Sequence, residues 1–378
     1  MLTGFAWSII SSKNNSPYFY KESIMITEIS EKKVVKEPHL PTNLSDIKTS
    51  LRQRIKIYKK RAREVEAYLL RHPDEWGKFQ NEFNDEVNAI FREIMNYDKV
   101  NLMAGRSDKI EKLKRIFINR IRGLFLQSEF FEWCFRKPYG YAGDFKAIED
   151  IYQNNPTSSG FVRLIDNYFH MAAICIAVRN RKEDFKRIIT KFTNDKKDKN
   201  VRLMSLGSGP CRDIKELLES DLLINKKLKF DCYDNDANAI EFAKKLLSNN
   251  PNVTFIKENA LRIAASKDIN DMIGKKYDVI YALGIFDYFN HKISVRLVEN
   301  LRKLLNPGGI MAISNARDRY SNPSLHCMEW AGEWLIIYRT DEEFKQIFIE
   351  AGFKESELRV SYEQQGTMQY ILATNKAK

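Results

Sequence analysis

Val201 to Ile214 reads VRLMSLGSGPCRDI. An apolar run of strand character stops at Gly207-Ser208-Gly209, and a polar, helix-forming run takes over within a few residues. An open α/β sheet binds its ligand at such a point, in the crevice beyond the carboxyl end of the strand. Glycine suits the turn because a side chain would collide with whatever is bound there. Arg212 fills the third position of the dinucleotide pattern G-x-G-x-x-G, which counts against NAD.

Outward from this stretch the same alternation recurs. LKFDCYD precedes NAIEFAKKLL, VTFIKE follows, YDVIYALG precedes KISVRLVENLRKLL, and GIMAISN and TMQYILATN flank DEEFKQIFIEAGF. Strands and helices in turn predict a parallel sheet covered by helices on both faces. Asp234 closes the second strand 25 residues after Gly209 (234 − 209), near the spacing at which a carboxylate takes ribose hydroxyls. Asn235 follows it, and Asp236 either caps the next helix or shares the ribose. Asn259 and Ala260 close the third strand, where a side-chain amide can meet adenine. The fourth strand ends through Leu283 and Gly284, and Asn306-Pro307-Gly308-Gly309 turns into the fifth.

Upstream the period is helical. LRQRIKIYKKRAREVEAYLL, WGKFQNEFNDEVNAIFREIM and KIEKLKRIFINRIRGLFL each repeat apolar residues three and four apart. His72-Pro73-Asp74 separates the first two, with Asp74 placed to cap the second. FVRLIDNYFHMAAICIAVRNRKEDFKRIITKF is one long helix or two abutting ones. The expected organisation is a flexible tail over 1–44, a helical domain over 45–195 and a ligand-binding α/β domain over 196–378. The loop KPYGYAGDF, 137–145, sits within the helical domain and places two tyrosines, two glycines and an aspartate in nine residues.

Bulk properties exclude some classes. No run of 18 apolar residues exists to span a membrane. MLTGFAWSIISSK lacks the basic lead and cleavage site of a signal peptide, and MITEISEKK from Met25 resembles an ordinary cytosolic start. The five cysteines are scattered, as in reduced cytoplasmic proteins, and neither they nor the five histidines form a metal-ligand cluster. The net charge of +12 suits an acidic partner, yet much of it is lysine spread along helices such as IKIYKKRAR.

The ordered strand ends over residues 200–315 resemble those of class I S-adenosylmethionine (SAM) methyltransferases. KPYGYAGDF, AVRNR, SLGSGPCRDI, LGIFDYFN, LNPGGIMAISN and EWLIIYRT together resemble a narrower bacterial group, the extracellular-factor 3-hydroxypalmitic acid methyl ester biosynthesis proteins, from about Pro138 to Leu372. The resemblance implies a Rossmann-like methyltransferase sheet with an N-terminal helical bundle and lid, SAM as cofactor, and methyl transfer to the carboxylate of a 3-hydroxy fatty acid or related small molecule.

On that resemblance the loop 137–145 folds over the crevice. Tyr139 and Tyr141 wall the acceptor pocket, and Asp144 meets the cofactor's amino group or balances its sulfonium. Arg179 or Arg181 grips a carboxylate of the cofactor or the acceptor, with Arg181 assigned to the cofactor. Gly207, Ser208, Gly209, Asp234, Asn235, Asn259, Ala260, Leu283 and Gly284 complete the cofactor set. Asp287, Tyr288 and His291 follow the fourth strand beside the methyl group; Asp287 and His291 are the candidates for proton handling. Asn315, Arg317, His326 and Arg339 lie within possible reach of the same pocket, and Trp334 and Tyr338 read as core. A carboxylate acceptor is already ionised and needs no base. Two alternatives stand beside this one. One is a methyltransferase for nucleic acid or protein, although the Asp/Asn-Pro-Pro-Tyr of base-amino enzymes is absent: Ala282-Leu283-Gly284-Ile285 stands in its place. The other is a non-catalytic SAM-binding domain whose helices recruit a partner.

Overall fold

The computed structural model describes residues 44–197, 200–220 and 226–376. The tail expected over 1–44, with the Met25 start, therefore lies outside the described residues except for Leu44. Helical periodicity becomes helix in α1 (Leu44–Leu69), α2 (Gln80–Met103), α3 (Ser107–Phe117), the single turn α4 (Gly123–Phe125) and α5 (Glu129–Arg136). On α1 the buried residues are Leu51, Ile55, Tyr58, Ala62, Val65 and Leu69, one stripe at steps of three and four. Asp74 does not cap α2. It falls in the first turn of a separate 3-10 helix, Pro73–Lys78, because proline at the first position starts a helix of its own there.

α6 (Phe145–Gln153), α7 (Gly160–His170) and α8 (Ala173–Asp195) lead to the sheet. The long apolar stretch before the sheet is two helices, which break at Met171-Ala172 and cross at 54°. No single helix among the described residues is long and apolar enough to cross a membrane.

Seven strands follow: β1 (Asn200–Leu206), β2 (Lys227–Asp234), β3 (Val253–Lys257), β4 (Tyr277–Ala282), β5 (Leu305–Ala316), β6 (Leu358–Tyr362) and β7 (Met368–Thr374). Between them run α9 (Arg212–Leu218), α10 (Ala237–Leu246), α11 (Ala260–Ala265), α12 (Ile269–Ile273), α13 (His291–Lys303) and α14 (Asp341–Glu350). The order is β3-β2-β1-β4-β5-β7-β6. The first five strands are parallel, but β7 runs antiparallel to both β5 and β6. The sheet is thus mixed. A short Gly366 turn lets β6 return as β7, whereas parallel pairing needs a long crossover.

Strand alternation divides the interior into two layers. Val201, Leu203, Val279, Tyr281, Ile310 and Ala312 face the helical region with Phe185 and Ile189 of α8. Met204, Leu206, Ile280, Ala282, Met311 and Ile313 face Leu297 and Leu301 of α13 and Phe344 and Phe348 of α14. The helices before the sheet and the sheet itself form one compact unit, Asn43–Lys378. Winding reverses between β1 and β4, so a crevice opens beyond their carboxyl ends.

Phe185 is fully buried, with its ring 5.3 Å from Tyr370 and 6.3 Å from Tyr281. Phe185→Ala should lower the unfolding free energy by about 3–5 kcal/mol, measured by denaturant titration. A loss below about 1 kcal/mol would mean that α8 does not seat on the sheet in solution.

Candidate active site

The crevice encloses about 530 Å³, within the roughly 300–1,000 Å³ usual for small-molecule sites. Its floor is the loop after β1. Gly207 N and Ser208 N both donate to Tyr233 O, at 2.8 and 3.1 Å, pinning the loop to the end of β2. Asp234 completes the attachment: one carboxylate oxygen accepts from Gly209 N at 2.8 Å and the other from Asp236 N at 3.0 Å. Burial raises the Asp234 pKa, and these backbone donors oppose the rise. Asp236 caps α10 through Asn238 N at 2.8 Å. Asn259 caps α11 through Leu261 N at 2.8 Å while lining the crevice. Gly207, Ser208, Gly209, Asp234, Asn235, Asn259, Ala260, Leu283 and Gly284 all line it together.

The loop between α5 and α6 forms the roof. Tyr139, Gly140, Tyr141 and Gly143 line the crevice from above. Tyr141 Oη donates to Asp236 Oδ2 at 3.2 Å, fastening the roof over the β2 end. At the other end Tyr288 Oη donates to Ala142 O at 2.9 Å and accepts from Trp334 Nε1 at 2.8 Å. Gly143 has φ +69°, and a Cβ there would lie 2.3 Å from the Trp334 ring. Only glycine lets this ring close against the loop.

Asp144 is not part of the crevice lining. Its carboxylate caps α6 through Ala147 N at 2.9 Å and accepts from Trp133 Nε1 at 2.9 Å, so both oxygens serve the turn itself. His291 is also outside: it starts α13, stands exposed and contacts Glu350 Oε2 at 3.0 Å. Helix polarity explains the displacement, since Asn290 caps α13 and turns the next side chain to solvent. Arg179 donates to His170 O at 2.8 Å and acts on backbone, not on the crevice.

Arg181 and Asp287 do meet there. Both are 4% exposed, with Nη1 and Oδ2 4.0 Å apart. Asp287 Oδ1 accepts from Asn315 Nδ2 at 2.6 Å and Ala316 N at 2.7 Å, which leaves Oδ2 facing the crevice without a hydrogen bond. Burial pushes the Asp287 pKa up to about 6, against the pull of Arg181, the Ala316 N–H, Arg339 and Asn315. Arg181 Nε is buried without a partner, and Nη1 approaches so near Gly284 that a Cβ would lie 2.9 Å from it. Asn315 and Arg339 act from behind, Arg339 bonding Asn315 and Phe286 O. Arg317 pairs with Asp341, and His326 lies beside Asp98, both away from the crevice.

Several lining residues carried no signal in the sequence. Tyr152, Ile174, Val178, Met328, Ile336 and Met368 arrive from distant helices and strands, and their apolar character matches any core position. Trp334, expected in the core, is buried there and also walls the crevice, from an irregular segment before α14. Asp213 also lines it; its place four residues after Gly209 in the opening stretch was the available clue.

Gly143→Ala should displace Trp334 and loosen the roof, seen as faster protease cleavage within 137–145. Gly140→Ala, at φ +85° but with nothing within 4 Å, should change cleavage less. Equal behaviour of the two variants would remove the Trp334 contact as the roof's latch.

Residues 204–311 match the family model described as "Methyltransferase domain". A search of curated protein sequences finds no match. Among solved structures, a possible exported protein from Bordetella parapertussis is similar at 15% identity, with a TM-score of 0.53 over 70% of this chain and 96% of that one. A putative methyltransferase from Thermobifida fusca is 16% identical, with a TM-score of 0.46 over 61% of this chain and 94% of that one. An O-methyltransferase family protein from Burkholderia thailandensis is 13% identical, with a TM-score of 0.40 over 54% and 60%. The first of these supports the fold. The matched segment runs from β1 into β5 and supplies the glycine floor, Asp234, Asn259 and Gly284. Those residues, with the partnerless Nε of Arg181, fit an adenosyl ligand bearing a charged head. The chain is therefore an S-adenosylmethionine-dependent methyltransferase.

Proposed function

We propose that this enzyme methylates an oxygen of a small amphiphilic acid, the carboxylate of a fatty acid or 3-hydroxy fatty acid being the first candidate. The supporting observation is the character of the crevice beyond Gly284. Ile174, Val178, Phe289, Met328, Trp334 and Ile336 line it with apolar surface, and Asp287, with Arg181 4.0 Å away, lines the same crevice. An apolar chain gains about 25 cal/mol for each Å² it buries there.

S-adenosylmethionine supplies an electrophilic methyl group when bound. The chain must align acceptor and methyl and exclude water. Tyr141 and Tyr288 hold the roof at its two ends, so one loop covers both halves of the crevice. A carboxylate acceptor attacks without a base. Bound beside Asp287, it keeps that carboxyl protonated and accepts its hydrogen bond.

A second acceptor is favoured by one observation, the bond-free Oδ2 of Asp287. Ionised, that oxygen can take the proton of an attacking hydroxyl. The two cases differ in the sign of pH dependence. A hydroxyl acceptor requires the ionised form, so kcat/KM climbs as pH rises through about 6 and then levels. A carboxylate acceptor works with the protonated form, so the rate falls as pH rises through about 6 and holds at lower pH until the acceptor's own carboxyl group protonates. Asp287→Asn should abolish the climb in the first case and preserve activity at high pH in the second.

The product class is read by incubating the protein with methyl-labelled cofactor and a cell extract, then separating lipid, small polar, protein and nucleic-acid fractions. Base-labile label in lipid supports the ester. Base-stable label in lipid selects the hydroxyl acceptor, and label in protein or nucleic acid overturns the small-acid assignment.

A further inference from the structure

We infer that Arg181 and Asp213 together clamp the zwitterionic amino-acid head of the cofactor, Arg181 taking its carboxylate and Asp213 its ammonium. The inference rests on the cofactor assignment above and adds a ligand role for Asp213.

The two side chains come from different elements, α8 and α9, and both line the crevice while only 4% exposed. A buried guanidinium with a partnerless Nε is costly unless something anionic completes it. Asp287 stands 4.0 Å away, beyond hydrogen-bond reach, and its Oδ1 is taken by Asn315 and Ala316. Met368 Sδ at 3.9 Å is a weak acceptor. A planar carboxylate would complete the fork, whose Nε has no hydrogen-bond partner among the described residues.

Asp213 presents the opposite deficit. Tyr281 Oη donates to its Oδ2 at 2.8 Å from the fully buried end of β4. Burial raises the Asp213 pKa against the Tyr281 hydroxyl and the backbone N–H groups of Ile214 and Asp213, and no lysine or arginine among the described residues forms an ion pair with it. Tyr152 lines the same crevice; burial pushes its pKa up to about 12, with the Arg181 guanidinium opposing the rise and the Asp213 carboxylate adding to it. An ammonium beside Asp213 would supply the missing positive charge. Asp144, expected to receive the amino group, is occupied by Trp133 and Ala147.

The test is calorimetric binding of four ligands to the full chain: the cofactor, its decarboxylated analogue, its desamino analogue, and 5′-methylthioadenosine, which lacks the head. Wild-type protein should prefer the complete cofactor over either truncated head by roughly tenfold or more. Arg181→Met should erase the preference over the decarboxylated analogue and keep the preference over the desamino one. Asp213→Asn, which still accepts from Tyr281, should do the reverse. Methylthioadenosine affinity should stay unchanged in both variants, reporting an intact adenosyl site. Equal losses across all four ligands would overturn the clamp and reduce both residues to supports of the fold. Retained discrimination in both variants would overturn it as well. Wild-type protein that binds none of the four would instead fail the cofactor assignment, a distinct result.

Discussion

A parallel sheet that winds both ways leaves its strand ends uncovered where the winding reverses, and this chain builds everything functional around that gap. The loops after β1 and β4 part there because their helices leave toward opposite faces. Backbone groups freed by the turns need partners. Tyr233 O and the Asp234 carboxylate supply them, fixing the glycine loop before any ligand binds. Preorganisation of this kind limits the entropy lost on binding.

The gap alone would be an open groove. Its roof comes from the region before the sheet, and the sheet returns the favour through Tyr288, Asp236 and Trp334. The roof is tied by hydrogen bonds at its two ends and packed between them, with Ala142 buried, Tyr139 against the Trp133 and Phe145 rings and Gly143 against Trp334.

The floor was legible in the sequence because local chemistry dictates it. Two glycines after a strand, and a carboxylate at the end of the next strand, are consequences of backbone geometry at one turn each. Helices on both faces of the sheet were legible from the way strands and helices alternate along the chain. The antiparallel β6–β7 pair was not, since Leu358–Tyr362 is half-exposed and its pattern is weak. Asp144 misled because an aspartate before a helix serves equally as a cap, and burial decided in favour of the cap. His291 misled because it opens α13, a helix start whose first residues face solvent. Trp334 and Asp213 depended on how distant elements meet, which no short pattern encodes.

Charge in the crevice orders these pieces. Its lining carries one guanidinium, Arg181, and three carboxylates, Asp213, Asp234 and Asp287, a formal balance of −2 (1 − 3) in a chain whose net charge is +12. The local charge therefore opposes the net charge of the chain, and nearby charges act more strongly than distant, screened ones. A sulfonium cofactor is attracted as a cation, and its neutral thioether product is attracted less. Methyl transfer thus removes part of what holds the ligand in place. An anionic acceptor faces the opposite condition. It is repelled by the ionised carboxylates and gains a further counter-charge beside the sulfonium. The electrostatics of the lining favour cofactor before acceptor, and they do so with residues that also build the turns.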